Sequence, residues 1–233
     1  GLEPVVLGPK DGLAIVSSNA LSAGEGSLVL YDTENLIDMC DIIYSLSLEG
    51  LNGNTSPLES QTYEVRPYTN AARSAKNIRG YLAGSYLWNP DPGRPLQDSL
   101  AFRGAAQIHG AARDVLSFVE NLLTIHLNSS DDNPCMVLDE GKIISCSNFE
   151  TTNWTIGFEA LGLALSHLSK ISCYRTIKLA DPRFTKLPRF LAPNESMLGY
   201  QAIQKVFTSL DSEIRHLSNP STADYFEVAG DIE

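Results

Sequence analysis

Arg94-Pro-Leu-Gln-Asp-Ser-Leu-Ala-Phe-Arg103, continued by Gly104-Ala-Ala-Gln-Ile-His-Gly-Ala111, carries the chain out of a proline-rich loop and into a helix. Pro90, Pro92 and Pro95 lack the N–H that a helix interior needs, so the helix is expected to start after them, capped by Asp98 or Ser99. Downstream, Ala111, Val115, Phe118, Leu122 and Ile125 recur at steps of three and four, which predicts one buried apolar face. Arg103 then falls in the first turns, where a guanidinium can grip a carboxylate with two parallel bonds. Gln97, six residues earlier, can hydrogen-bond the same ligand from a neighbouring face. Taken alone, the pair also reads as a surface ion pair and a cap.

Outward from this stretch the helical period dominates. Leu36, Met39, Ile43 and Leu46 form one stripe. Trp154, Phe158, Leu161, Leu165, Leu168 and Ile171 form a longer one, and Tyr200, Ile203, Phe207, Leu210, Ile214 and Leu217 a third. Each predicts a buried helix face. Cys135-Met-Val-Leu138 and Lys142-Ile-Ile-Ser145, with Gly141 between them, predict a small β-hairpin. Pro182, Pro188 and Pro193 mark a loop between the last two long helices. The expected fold is mainly α: residues 1–233 as a single antiparallel bundle of long helices with one hairpin. Its faces are expected to be shared between subunits of a homo-oligomer.

Bulk properties narrow the function. The chain has 233 residues, 43% of them apolar, and a net charge of −11. That charge argues against a nucleic-acid partner and against an anionic membrane surface. No uninterrupted apolar run reaches the ~18 residues of a membrane span, and no signal peptide is visible. Cys40, Cys135, Cys146 and Cys173 show no paired spacing, which predicts reduced thiols and a cytoplasmic protein. His109, His126, His167 and His216 are scattered, so no metal site is expected.

Five segments in register resemble the aromatic amino-acid ammonia-lyases, the histidine and phenylalanine ammonia-lyase family. They are Gly1-Leu-Glu-Pro through Lys10-Asp-Gly-Leu-Ala14, Tyr81-Leu-Ala-Gly-Ser85, the Gln97–Arg103 segment, Asn128-Ser-Ser-Asp-Asp-Asn-Pro134 with Ser145-Cys-Ser-Asn-Phe149, and Leu187-Pro-Arg-Phe-Leu191 with Ser212-Glu-Ile-Arg215. The resemblance implies a helical homotetramer with active sites assembled from several subunits, acting on a small-molecule amino acid. It also implies a methylidene-imidazolone electrophile made autocatalytically from Ala-Ser-Gly, and no separate cofactor. That triplet does not occur in these residues, and the chain reads as a central or C-terminal fragment of a longer lyase.

Residue by residue, the resemblance makes Arg103 the carboxylate clamp, held toward an enclosed cleft, and Gln97 its hydrogen-bonding companion. Phe149 becomes the aromatic beside the electrophile. Glu233 falls where histidine-specific members carry a glutamate able to accept from a ring N–H. Ser17 replaces an asparagine that contacts electrophile and substrate, and Leu100 replaces a catalytic tyrosine. A leucine can neither hydrogen-bond nor move a proton. Cys146 and Ser147 replace two glycines, His126 replaces an acidic residue, and Glu150 stands where histidine-specific members have a histidine. His126 is read first as a satisfied core histidine. The leading function is elimination of ammonia from an aromatic or imidazole α-amino acid, histidine above all. Two alternatives stand beside it: an electrophile-free member that expels a quaternary amine from a substrate such as ergothioneine, and a catalytically degenerate scaffold.

Overall fold

The computed structural model describes residues 1–224. Its helices are α1 (Asp11–Val16), α2 (Ala20–Leu51), α3 (Ser60–Glu64), α4 (Thr69–Tyr81), α5 (Leu100–Arg103), α6 (Ala105–Leu127), α7 (Thr152–Leu179), α8 (Pro182–Thr185) and α9 (Ile203–Leu217). The hairpin pairs β1 (Cys135–Val137) with β2 (Lys142–Ile144), antiparallel, with Met136 opposite Ile143. Gly141 turns it at a φ of 61°, a left-handed conformation that costs glycine nothing. The mainly helical fold, the hairpin and the proline-punctuated loop are as the sequence predicts.

The 32 residues of α2 make a rod of about 48 Å at 1.5 Å per residue. It stops where Asn52 takes a left-handed conformation and the amides of Asn52 and Gly53 return to Glu49 and Leu48, a C-terminal cap of the kind asparagine and glycine support. Helix α6 is the hub and packs against α2, α4 and α7. Two apolar clusters result. One gathers Tyr44, Leu48, Leu58, Ala75, Ile78, Leu87 and Phe102; the other gathers Leu30, Ile37, Leu116, Val119, Leu123, Leu161 and Leu168.

Polar side chains lie between helices within this core. Asp41, wholly buried on α2, meets His109 Nδ1 at 2.7 Å, Arg113 Nη2 at 2.8 Å and Asn77 Nδ2 at 3.2 Å. Arg113 also donates to Ser74 and Asp38. A buried carboxylate survives desolvation only with such partners. Burial holds the His109 pKa below its ordinary value against the pull of Asp41, with Arg175 and Arg113 lowering it further.

Burial of the predicted stripes differs from expectation. The α7 stripe faces the core, with Leu161, Leu168 and Ile171 buried. On α2 the buried face is instead Leu30, Ile37, Cys40, Tyr44 and Leu48, and Leu36, Met39, Ile43 and Leu46 are exposed. On α6 the core takes Ala112, Leu116, Val119 and Leu123, one position on from the predicted stripe, which leaves Ala111, Phe118 and Ile125 exposed. On α9, Ile203, Leu210, Ile214 and Leu217 are exposed. These helices carry more apolar surface than one chain covers.

Two local expectations are also corrected. Ser99 holds the N-cap position of α5 without a side-chain cap bond, and the Asp98 carboxylate turns away to the Asn54 amide. The helix also breaks at Gly104, so Arg103 closes a four-residue helix rather than opening the long one. Finally, the stretch Asp11–Leu51 contains a window of mean hydropathy 1.2, long and apolar enough by composition to cross a membrane. Polar residues interrupt this stretch, so it contains no uninterrupted apolar run of that length. Further along α2, Asp41 meets His109 and Arg113, which packs the later part of this helix within the bundle.

Candidate active site

Gln97, Leu100 and Arg103 lie together on one segment, and neighbouring loops fix it. Asp98, almost fully buried, accepts the Asn54 amide at 2.6 Å with its carboxylate. Asn54 Nδ2 donates to Leu96 O at 3.0 Å. Glycine at position 53 leaves room for this approach, since a β-carbon there would come within 2.4 Å of Leu48 Cδ1 and 3.1 Å of Asp98 Oδ2 and force those side chains to shift. Burial raises the Asp98 pKa, opposed by the Asn54 amide and by the charges of Arg103 and Arg94.

Arg103 is half-buried, and its Nε donates to the Asp98 carbonyl at 2.9 Å. Among the described residues, no side chain accepts from its two terminal nitrogens. The guanidinium is thus oriented through Nε while its outer edge stays available to a carboxylate. Arg103 is not among the residues lining the cavities around Leu100 or His126. Gln97 is exposed. Leu100, also exposed, borders a cavity of about 370 Å³ with Ile108, His167, Lys170, Ile171, Tyr174 and Lys178. No tyrosine hydroxyl stands at position 100, but Tyr174 lines the same cavity, and the motif spacing gave no sign of it.

Ser17 and Phe149 form a second group. Ser17 follows α1 and is exposed, with no side-chain hydrogen bond among the described residues. Asn19, two residues on, donates from Nδ2 to the Phe149 carbonyl at 3.0 Å. Lys10 pairs with Asp132 at 2.5 Å and reaches the Asn133 carbonyl, which ties the first segment to the Asp131-Asp-Asn-Pro134 loop. Phe149 keeps an exposed ring. Beside it, Glu150 accepts from the Thr152 hydroxyl and amide, which lower its pKa. His126 stacks near Trp154 at 5.4 Å and faces Asp131 at 3.8 Å, in a polar cavity of about 400 Å³ that Glu150 also lines. It is therefore at the edge of a cavity as well as packed on an aromatic. Glu233 lies outside the described residues.

The two groups sit at opposite ends of α2. Ser17 and Asn19 precede its first residue, whereas Tyr44, 24 residues into it, donates to Phe102 O at 2.9 Å. That separation is about 36 Å along the helix axis. No hydrogen bond among the described residues joins them. One chain therefore carries Gln97, Leu100 and Arg103 on one segment, places Phe149 against Asn19, two residues after Ser17, and keeps the two sets apart.

Known proteins resemble this chain in sequence and in fold. The family described as aromatic amino acid lyase matches residues 1–233. A histidine ammonia-lyase of Streptococcus sanguinis is 34% identical over 225 residues, which is 96% of this chain and 44% of that protein. A crystal structure of the ergothioneine-degrading enzyme ergothionase from Treponema denticola, in complex with desmethyl-ergothioneine sulfonic acid, superposes with a TM-score of 0.95 at 47% identity, covering 100% of this chain and 47% of that one. Histidine ammonia-lyase from Trypanosoma cruzi superposes at 0.89 with 26% identity, covering 100% and 44%. The chain thus spans less than half the length of these relatives. By sequence and by fold, the chain belongs to the aromatic amino acid lyase family.

Proposed function

We propose that the full protein is a carbon–nitrogen lyase acting on an imidazole-bearing α-amino acid whose amine is already quaternary, as in ergothioneine. The observation that carries this reading is the 47% identity to the ergothioneine-degrading enzyme, against 34% to the S. sanguinis histidine ammonia-lyase. The departures at positions 100 and 17 support it. Leu100 has no proton to give, and Ser17 has lost the reach of an amide.

In this reading Arg103 holds the substrate carboxylate through its free edge and Gln97 hydrogen-bonds the same group. Glu233 accepts from the ring N–H. A base takes the β-proton; the C–H electrons become the new double bond, and the C–N pair leaves with a neutral tertiary amine. A quaternary nitrogen leaves without prior activation. The family electrophile would activate a primary amine, but Ser17 and the Cys146-Ser147 pair do not reproduce the donors and the glycines that would face it. We further propose a homotetramer with shared sites, supported by the exposed α2, α6 and α9 stripes and by the ~36 Å between the two residue groups, and a cytoplasmic location, supported by four cysteines without paired spacing. The histidine ammonia-lyase relatives support a second reading, loss of ammonia from histidine.

Incubating the full-length protein with ergothioneine, histidine, phenylalanine and tyrosine tests the choice. Trimethylamine and an unsaturated acid from ergothioneine alone support the proposal. Ammonia from histidine with no reaction of ergothioneine supports the second reading, and no product from any substrate supports a degenerate scaffold.

A further inference from the structure

We infer that Tyr44 and Asp98 are positioning residues that aim the Arg103 guanidinium; the inference rests on the reading of Arg103 as the carboxylate clamp. A four-residue helix such as α5 has no stability of its own, since nucleation is unfavourable and a single turn returns few bonds. Its geometry must come from outside, and two buried contacts supply it.

The first acts on the backbone immediately before the clamp. Phe102 is buried, and its carbonyl accepts the Tyr44 hydroxyl at 2.9 Å from α2, 58 positions away in the chain. Tyr44 is itself locked: it is 1% exposed, the Arg175 guanidinium lies 5.5 Å from its ring centroid, and the His109 ring meets it edge-on at 6.3 Å. The second contact acts on the side chain. Arg103 Nε donates to the Asp98 carbonyl, and the Asp98 carboxylate is moored to the Asn54 amide at the end of α2. The first contact comes from α2 itself and the second from the turn that follows it. Backbone and side chain of Arg103 are set by groups that never meet the substrate, and small misplacements of a binding group are costly.

The test uses the full-length protein with ergothioneine as substrate. Tyr44→Phe deletes one hydroxyl and keeps the packing. It is expected to raise KM about tenfold while kcat stays within about threefold, the signature of lost substrate binding. In an Arg103→Ala background the same substitution is expected to add nothing to KM. Asp98→Ala is expected to raise KM likewise, and Asp98→Asn to restore it, because the amide oxygen still accepts from Asn54. A contact that only stabilised the fold would lower the melting temperature and leave KM alone. The inference is overturned if Tyr44→Phe, folded and of parental oligomeric size, leaves KM unchanged while Arg103→Ala raises it. If Arg103→Ala leaves KM unchanged as well, the carboxylate-clamp reading fails first and takes this inference with it.

Discussion

Gly110 of α6 lies against Ala71 of α4 so closely that a β-carbon on Gly110 would stand 2.3 Å from the Ala71 backbone nitrogen and 2.4 Å from its α-carbon. Neither atom can yield, since both belong to a helix backbone. The contact sets how near α4 comes to the hub helix beside His109 and Arg113. Gly110→Ala is therefore expected to destabilise the protein by about 3 kcal/mol, at the upper end of overpacking penalties. Denaturant midpoints of parent and variant measure this; a difference below about 0.5 kcal/mol would show that the helices part without strain.

His109 makes stability depend on pH. Its folded pKa lies below its ordinary value of 6.5, so the unfolded chain binds a proton that the folded core refuses. Stability from this group is fully present above the unfolded value and is lost as pH falls below it, with a slope approaching ~1.4 kcal/mol per pH unit. Urea unfolding of the parent between pH 7.5 and 5 is expected to show this loss. His109→Gln, which does not titrate, is expected to flatten the slope over the same range. Equal slopes would mean that His109 is not the responsible group.

Much of the fold was legible because period and punctuation are local. Gly141 and the β-forming residues around it declare the hairpin, and the prolines at 182, 188 and 193 end α7 where the pattern breaks. Apolar period also locates helices, but it does not say what covers them. Leu36, Met39, Ile43 and Leu46 share a face that one chain leaves open. The buried polar contacts were illegible for another reason: Asp41 meets His109 and Arg113 across 68 and 72 positions, and nothing near any of the three residues announces the others. The expected cap misled in the same way, since Asp98 found the distant Asn54 amide rather than its own helix. Arg103 was legible through its motif, whereas its anchors Tyr44 and Asp98 were not, because they act through backbone carbonyls that any residue would present.

Leu100 offers a test of lineage. It is exposed at the start of α5 and borders the cavity shared with Tyr174 and Lys170, so a larger polar side chain there meets open space rather than a packed core. Leu100→Tyr is expected to fold as the parent does and, under the second reading with histidine as substrate, to gain ammonia release by about a hundredfold, the lower end of the range for a placed proton-transfer group. A coupled ammonia assay reads the gain. No rise would separate position 100 from the chemistry.

Binding of a carboxylate by Arg103 can be read from a pair of competitive inhibitors. Imidazole propionate and its propionamide differ only in that charge. In the full-length parent the acid is expected to bind about 10- to 100-fold more tightly than the amide, as one charge-assisted contact warrants. In Arg103→Ala that preference is expected to fall to near unity through weakening of the acid alone. An acid preference as large in the variant as in the parent would contradict the account.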